Sequence, residues 1–173
     1  MPSGNLEVVA CIITPYFDAV RDSFVWFSPE PGVSLSKLSK TGFLIEPAIH
    51  DSERHFAACR DDGGLIVFAP GIVDLSEENV IAMIAHEFGH AADFAYPGSW
   101  VTSEDPTKPA IWIGSRNDKQ AMRWRKFWMG RNKDQQEMAA DSIVKTVTGR
   151  TIGYCGSLQI QCFTGIPRPA GLR

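Results

Sequence analysis

His86 and His90 stand four residues apart with Glu87 beside the first of them, and that spacing has a chemical use. On a helix, residues i and i+4 share a face about one turn apart, so two imidazoles can reach one tetrahedral metal ion. A strand or loop would not guarantee that approach. Glu87, next to His86, can lean toward a water on the same ion and act as general base without being a ligand. The plainer alternative is a core helix with two hydrogen-bonded histidines. Two histidines do not complete a catalytic metal site, which needs a third protein ligand and an open position. Glu137 is the best candidate for that ligand. Asp141 lies four residues further on, on the same face if the segment is helical. Glu137 can take the metal while Asp141 accepts the free ring N–H of a histidine and fixes its orientation. An exposed acidic helix face is the reading these two carboxylates would carry without the histidines upstream.

Both groups fall in segments that read as helices. Ser76 to Tyr96 begins with a good N-cap, because the Ser76 hydroxyl can accept from a free backbone N–H of the first turn. Glu77 and Glu78 follow where the positive end of the helix dipole favours carboxylates. Val80, Ile81, Ile84, Ala85, Phe88 and Ala91 form an apolar face with helical period, and Pro97-Gly98 marks the stop. The second segment has Asn132 and Gln135 as a capping box and Gly149 at its exit. Ala139 and Ala140 are small enough to let two helices approach closely.

His86-Glu87-x-x-His90 followed by Glu137-x-x-x-Asp141 resembles the metal site of the gluzincins, the thermolysin- and neprilysin-like zinc peptidases. Glu137-Met138-Ala139-Ala140-Asp141 looks like their E-x-x-A-D element, and His90-Ala91-Ala92-Asp93 resembles the H-x-x-D extension of the neprilysin type. The likeness implies Zn²⁺ held by His86, His90 and Glu137, with Glu87 as the catalytic base. It also implies that Asp141 supports His86 and that Asp93 supports His90. The expected activity is hydrolysis of a peptide bond in a peptide or protein substrate. The expected fold is α+β and zincin-like, a small mixed sheet packed on the helix of the two histidines, followed by the helix of the third ligand. Gln136 stands where those families often carry Asn, and no histidine follows His90, which disfavours the peptidases with a third histidine ligand.

The rest of the chain must position these residues. With 173 residues, 44% of them hydrophobic and 21% charged, it is long enough for one domain with a proper core. A net charge of −3 argues against a general binder of nucleic acid or anionic membranes. No apolar run is long enough for a transmembrane helix. The N-terminus lacks the basic start of a secretory signal, so a cytoplasmic protein is expected, or a mature form whose leader is gone.

Leu6 to Ile13 reads as strand or helix. Thr14-Pro15 reads as an N-cap followed by proline at the first helical position, with Tyr16, Val20, Phe24 and Phe27 on one stripe. Ser28 to Gly32 is a break, and Ser34 to Lys40 a short polar surface turn or helix. Strands are expected at 42–46, 55–59 and 65–69, the last two joined at Asp61-Asp62-Gly63-Gly64. His50 and His55, the remaining histidines, fit surface or hairpin roles better than contact with a reacting carbonyl.

Residues 97–117, rich in proline and glycine, read as an irregular insert bordering the site, with Trp100 and Trp112 supplying apolar contacts. Gln120 to Met129 reads as a helix with Trp124 and Trp128 facing the core and a solvated basic outer face. A nucleic-acid patch over 123–133, recruiting the peptidase, is the alternative. Thr151 to Phe163 suggests a terminal hairpin, in which Cys155 and Cys162 are taken as free thiols, with a disulfide between them open in an oxidising compartment. Besides a peptidase, a regulatory zinc-binding module without turnover stays open, as does the oligomeric state.

Overall fold

The computed structural model describes residues 5–47, 57–105, 107–152, 154–155 and 159–160. Its architecture is α+β. The first helix, α1, runs Leu6–Val25. Three short strands follow: β1 (Gly42–Ile45), β2 (Ala57–Arg60) and β3 (Leu65–Phe68). They form one mixed sheet in the order β1-β3-β2, β1 parallel and β2 antiparallel to β3. The central helix α2 is Glu77–Ala95, reached through a 3₁₀ turn at Pro70–Asp74. A two-residue ladder of β4 (Trp100–Val101) with β5 (Ile111–Trp112) precedes α3 (Asp118–Met129) and α4 (Lys133–Thr148). The strands β6 (Tyr154–Cys155) and β7 (Gln159–Ile160) pair antiparallel, as the hairpin reading of the tail expects. No helix among the described residues is long and apolar enough to cross a membrane. His50, His55 and Cys162 lie outside the described residues.

The largest departure from the sequence reading is α1. It begins at Leu6, capped by Asn5, whose side chain accepts from the N–H groups of Glu7 and Val8, and it runs straight through Pro15. Thr14-Pro15 is therefore helix interior. Proline removes one helical hydrogen bond, but Cys11, whose carbonyl is left without that partner, is exposed, so the freed group faces water rather than a dry core. The Thr14 hydroxyl meanwhile donates to the Ala10 carbonyl at 2.7 Å. On the other side Val9, Ile13, Phe17, Val20 and Phe24 are all buried, and that continuous face outweighs the lost bond.

The core brings α1 and the sheet against α2. Phe88, between Glu87 and His90, meets Phe17 and Phe24 with ring centroids 5.2 and 5.5 Å apart. Phe68 of β3 and Phe43 of β1 complete the cluster around Phe17. The β2–β3 turn is pressed onto α2 just past His90. A Cβ on Gly63 would lie 2.8 Å from the Ala91 carbonyl oxygen, and its φ of +91° also favours glycine. The buried Thr41 hydroxyl donates to the Gly63 carbonyl at 2.7 Å and holds the turn down. The 3₁₀ segment Ser36–Lys40, expected to be a surface element, buries Leu38, with Leu35 buried just ahead of it.

Candidate metal centre

Capping sets the two helices that matter. Ser76 accepts from the Asn79 N–H at the start of α2. Asn132 and Gln135 form a full capping box at the start of α4, and Gly149 ends it in the left-handed conformation. Packed against each other, α2 and α4 bring His86, His90 and Glu137 to one point. One ligand atom from each lies within 4.8 Å of the other two.

Gly89 makes that approach possible. A Cβ there would stand 2.4 Å from the backbone oxygen of Ala140, far inside contact distance. Ala140 and Ala139 are themselves almost fully buried in the seam. Small residues on both sides let the helix backbones touch, so that short imidazole and carboxylate side chains can meet.

The polar contacts are specific. His86 Nδ1–H donates to Asp141 Oδ1 at 2.7 Å, and Asp141 is fully buried. His86 Nε2 faces Glu137 Oε2 at 2.5 Å, and His90 Nε2 lies 3.3 Å from the same oxygen. Burial opposes a charge on His86, but the Asp141 and Glu137 carboxylates outweigh it and raise its proton affinity well above the usual range. Burial also works against ionised Glu137, yet the two histidines beside it pull its pKa down. Asp141 goes up because burial dominates its attraction to His86.

These residues suit a metal ion. Donor atoms about 2.0–2.1 Å from one tetrahedral zinc stand about 3.3 Å apart; the His90–Glu137 separation matches that value, whereas His86 and Glu137, at 2.5 Å, stand closer, as a hydrogen-bonded pair that an ion would have to part. The second ring nitrogen of His86 is occupied by a carboxylate, the arrangement that leaves Nε2 for the ion. Two imidazoles and one carboxylate are a common donor set for a catalytic zinc with one position left open. Glu87, 5% exposed, sits beside this cluster, and burial raises its pKa although both histidines act to lower it. No match is found for the chain among protein-family models, characterised proteins or solved structures.

Asp93 has a different place from the one its resemblance implied. Its Oδ2 accepts from Arg131 Nη2 at 2.8 Å and from Trp128 Nε1 at 3.1 Å. No hydrogen bond between it and His90 is present among the described residues. Its other oxygen is buried without a partner. Burial therefore raises its pKa to about 6 despite the Arg131 guanidinium. His90 is flanked instead by Phe94, stacked at 6.3 Å, which meets Trp128 at 4.6 Å.

Arg131, read from sequence as part of a solvated basic face, is the residue most thoroughly missed. Its guanidinium lies over the rings of both Trp124 and Trp128, at 5.4 and 5.3 Å, and also reaches Thr102 Oγ1 at 3.3 Å. Its carbonyl accepts from Gln136 Nε2, which fixes the corner leading into α4. Arg131 thus ties the start of the Glu137 helix to the end of the histidine helix. The tryptophan pair is half-buried around this arginine rather than set in the main core, and Met122 and Phe127 of α3 are exposed.

Proposed function

We propose that the protein is a zinc-dependent peptidase of gluzincin type, with His86, His90 and Glu137 as ligands and Glu87 as general base. The observation that carries this reading is the meeting of three metal-ligating side chains from two helices, with His86 already oriented by a buried carboxylate and Glu87 beside them. On this reading the mixed sheet packed on α2, with α4 alongside, is a minimal zincin-like core.

Bound there, zinc would supply Lewis acidity to the scissile carbonyl and to the attacking water. The side chains supply the rest. Asp141 keeps the His86 proton on Nδ1 and so leaves Nε2 as a donor. Glu87 takes a proton from the water as it attacks the carbonyl carbon and delivers it to the leaving amine nitrogen. Burial favours this second role, because a carboxyl with raised proton affinity can hold the proton between the two steps. A site serving only to bind or regulate would have no use for a buried carboxylate at position 87.

The test is cleavage of a peptide library by the zinc-loaded protein beside its Glu87→Gln variant. Zinc content should be the same in both, since Glu87 is no ligand, and cleavage should vanish in the variant. Hydrolysis by Glu87→Gln at near wild-type rate would remove the role assigned to it. Absence of cleavage by the wild type would favour a non-catalytic metal module.

A further inference from the structure

The two ligand helices are tied at three levels, in opposite chain order. His86 bonds Asp141 at one end of the seam. Gly89 lies against the Ala140 backbone in the middle. Asp93 accepts from Arg131 at the other end, at 2.8 Å, where the chain turns into α4. Ala140 and Asp141 are adjacent, so the first two ties make a short lever and leave the angle between the helices poorly fixed. The third tie sets that angle. His90 and Glu137 stand between it and the Gly89–Ala140 contact, His90 on α2 and Glu137 on α4.

As support for the fold alone, the third tie is a poor choice. Both side chains are nearly buried, Asp93 at 2% and Arg131 at 10% exposure. Their contact leaves Asp93 Oδ1 and Arg131 Nε buried without partners. A buried ion pair so incompletely satisfied often adds no more stability than apolar side chains of similar size. What it adds is a fixed distance and direction between two backbones.

The same cluster bears on both neighbouring ligands. Trp128 Nε1–H donates to Asp93 at 3.1 Å, and its ring meets Phe94 edge-on, which in turn stacks beside His90. The Arg131 guanidinium lies over that indole. On the other helix, the Arg131 carbonyl accepts from Gln136 Nε2, and Gln136 is the residue before Glu137.

We propose that Arg131, through Asp93 and Trp128, is a positioning residue for the metal centre, setting where Glu137 meets the two histidines and thereby the affinity for zinc. The proposal rests on the ligands assigned above and not on the nature of the substrate.

The test compares the full-length wild type with two variants. Asp93→Asn keeps an acceptor for Arg131 and for Trp128. Asp93→Asn/Arg131→Met removes both charges together, so neither is left buried alone, and keeps the acceptor for Trp128. In urea the zinc-free double variant should unfold at a midpoint equal to or above that of wild type. Its zinc Kd, from competition with a chelator, should be about tenfold weaker, the size of effect expected of a residue that orients ligands. Asp93→Asn alone should bind zinc nearly as wild type does. Zinc-free protein gives a second readout, because His86 Nε2 faces Glu137 directly. The ring signals of His86 and His90 in NMR spectra should move in the double variant and stay in place in Asp93→Asn. Equal zinc affinity in double variant and wild type overturns the proposal, as does an equal loss in Asp93→Asn. Weaker binding together with a lowered unfolding midpoint also overturns it, by making the pair a structural support. Displaced histidine signals in the double variant of a protein whose wild type binds no zinc would leave Arg131 as the residue that positions Glu137, and would remove the metal reading instead.

Discussion

At the scale of single residues, the centre separates carboxylates that look alike in sequence. Glu137 is within hydrogen-bonding distance of both histidines, Asp141 bonds only His86, and Asp93 bonds neither, since its hydrogen bonds go to Arg131 and Trp128. Zinc titrations should therefore grade them. Glu137→Ala should lose most of the affinity, whereas Asp141→Asn should keep the ion but hold it about 10–100-fold more weakly. Asp93→Asn should change affinity less than Asp141→Asn. If Asp141→Asn loses the metal and Glu137→Ala keeps it, the ligand assignment is wrong. Asp93 also has a pH signature. Its folded pKa of about 6 exceeds the roughly 3.9 of an unfolded aspartate. Its proton thus favours the folded state, fully below about pH 4, and the contribution is lost as pH rises through 6. The difference is about 3 kcal/mol. In zinc-free protein, Asp93→Asn should gain stability relative to wild type by that order between pH 4 and 7. A variant that instead loses ground as pH rises would mean that Arg131 holds Asp93 ionised.

At the scale of elements, the contact of α2 with α4 decides whether the ligands meet, and Gly89 sets its closeness. Gly89→Ala offers a sharp test, because two effects oppose each other. Helix propensity alone predicts a gain of up to about 1 kcal/mol. A Cβ placed 2.4 Å from the Ala140 oxygen must instead push the helices apart, and overpacking of this kind costs about 1–3 kcal/mol. Urea unfolding should show net destabilisation, with weaker zinc binding alongside. A neutral or stabilising result would mean that the helices lie further apart. The same pair shows what could be read from sequence. The ends of α2 and α4 were legible because caps and C-terminal glycine act locally, through Ser76, Asn132, Gln135 and Gly149. Gly89 was not, since an unspecified position in a motif does not announce the helix that will cross it. The start of α1 was misplaced at Pro15 because a local signal competed with a buried face that only the folded core reveals.

At the scale of the whole molecule, the three ligands belong to helices separated along the chain by β4, β5 and α3. The donor types were legible because their spacing within each helix is local. Their joining depends on contacts between distant residues, as with Arg131 and Asp93, and no periodicity encodes those. A metal at this seam would bind the folded chain and find no such arrangement in the unfolded one. Binding then adds stability as RT ln(1 + [L]/Kd), about 2.7 kcal/mol when free zinc is a hundredfold above Kd. For a chain of this length that corresponds to a rise in Tm of roughly 5–10 °C. Thermal unfolding with excess zinc and with a chelator should differ by this amount, and Glu137→Ala should abolish the difference. The variant isolates the seam, because zinc bound elsewhere would stabilise both proteins alike. Equal Tm values for wild type with zinc and with chelator would show that the three donors do not capture the ion in the folded chain. Glu87 would then have no metal to serve.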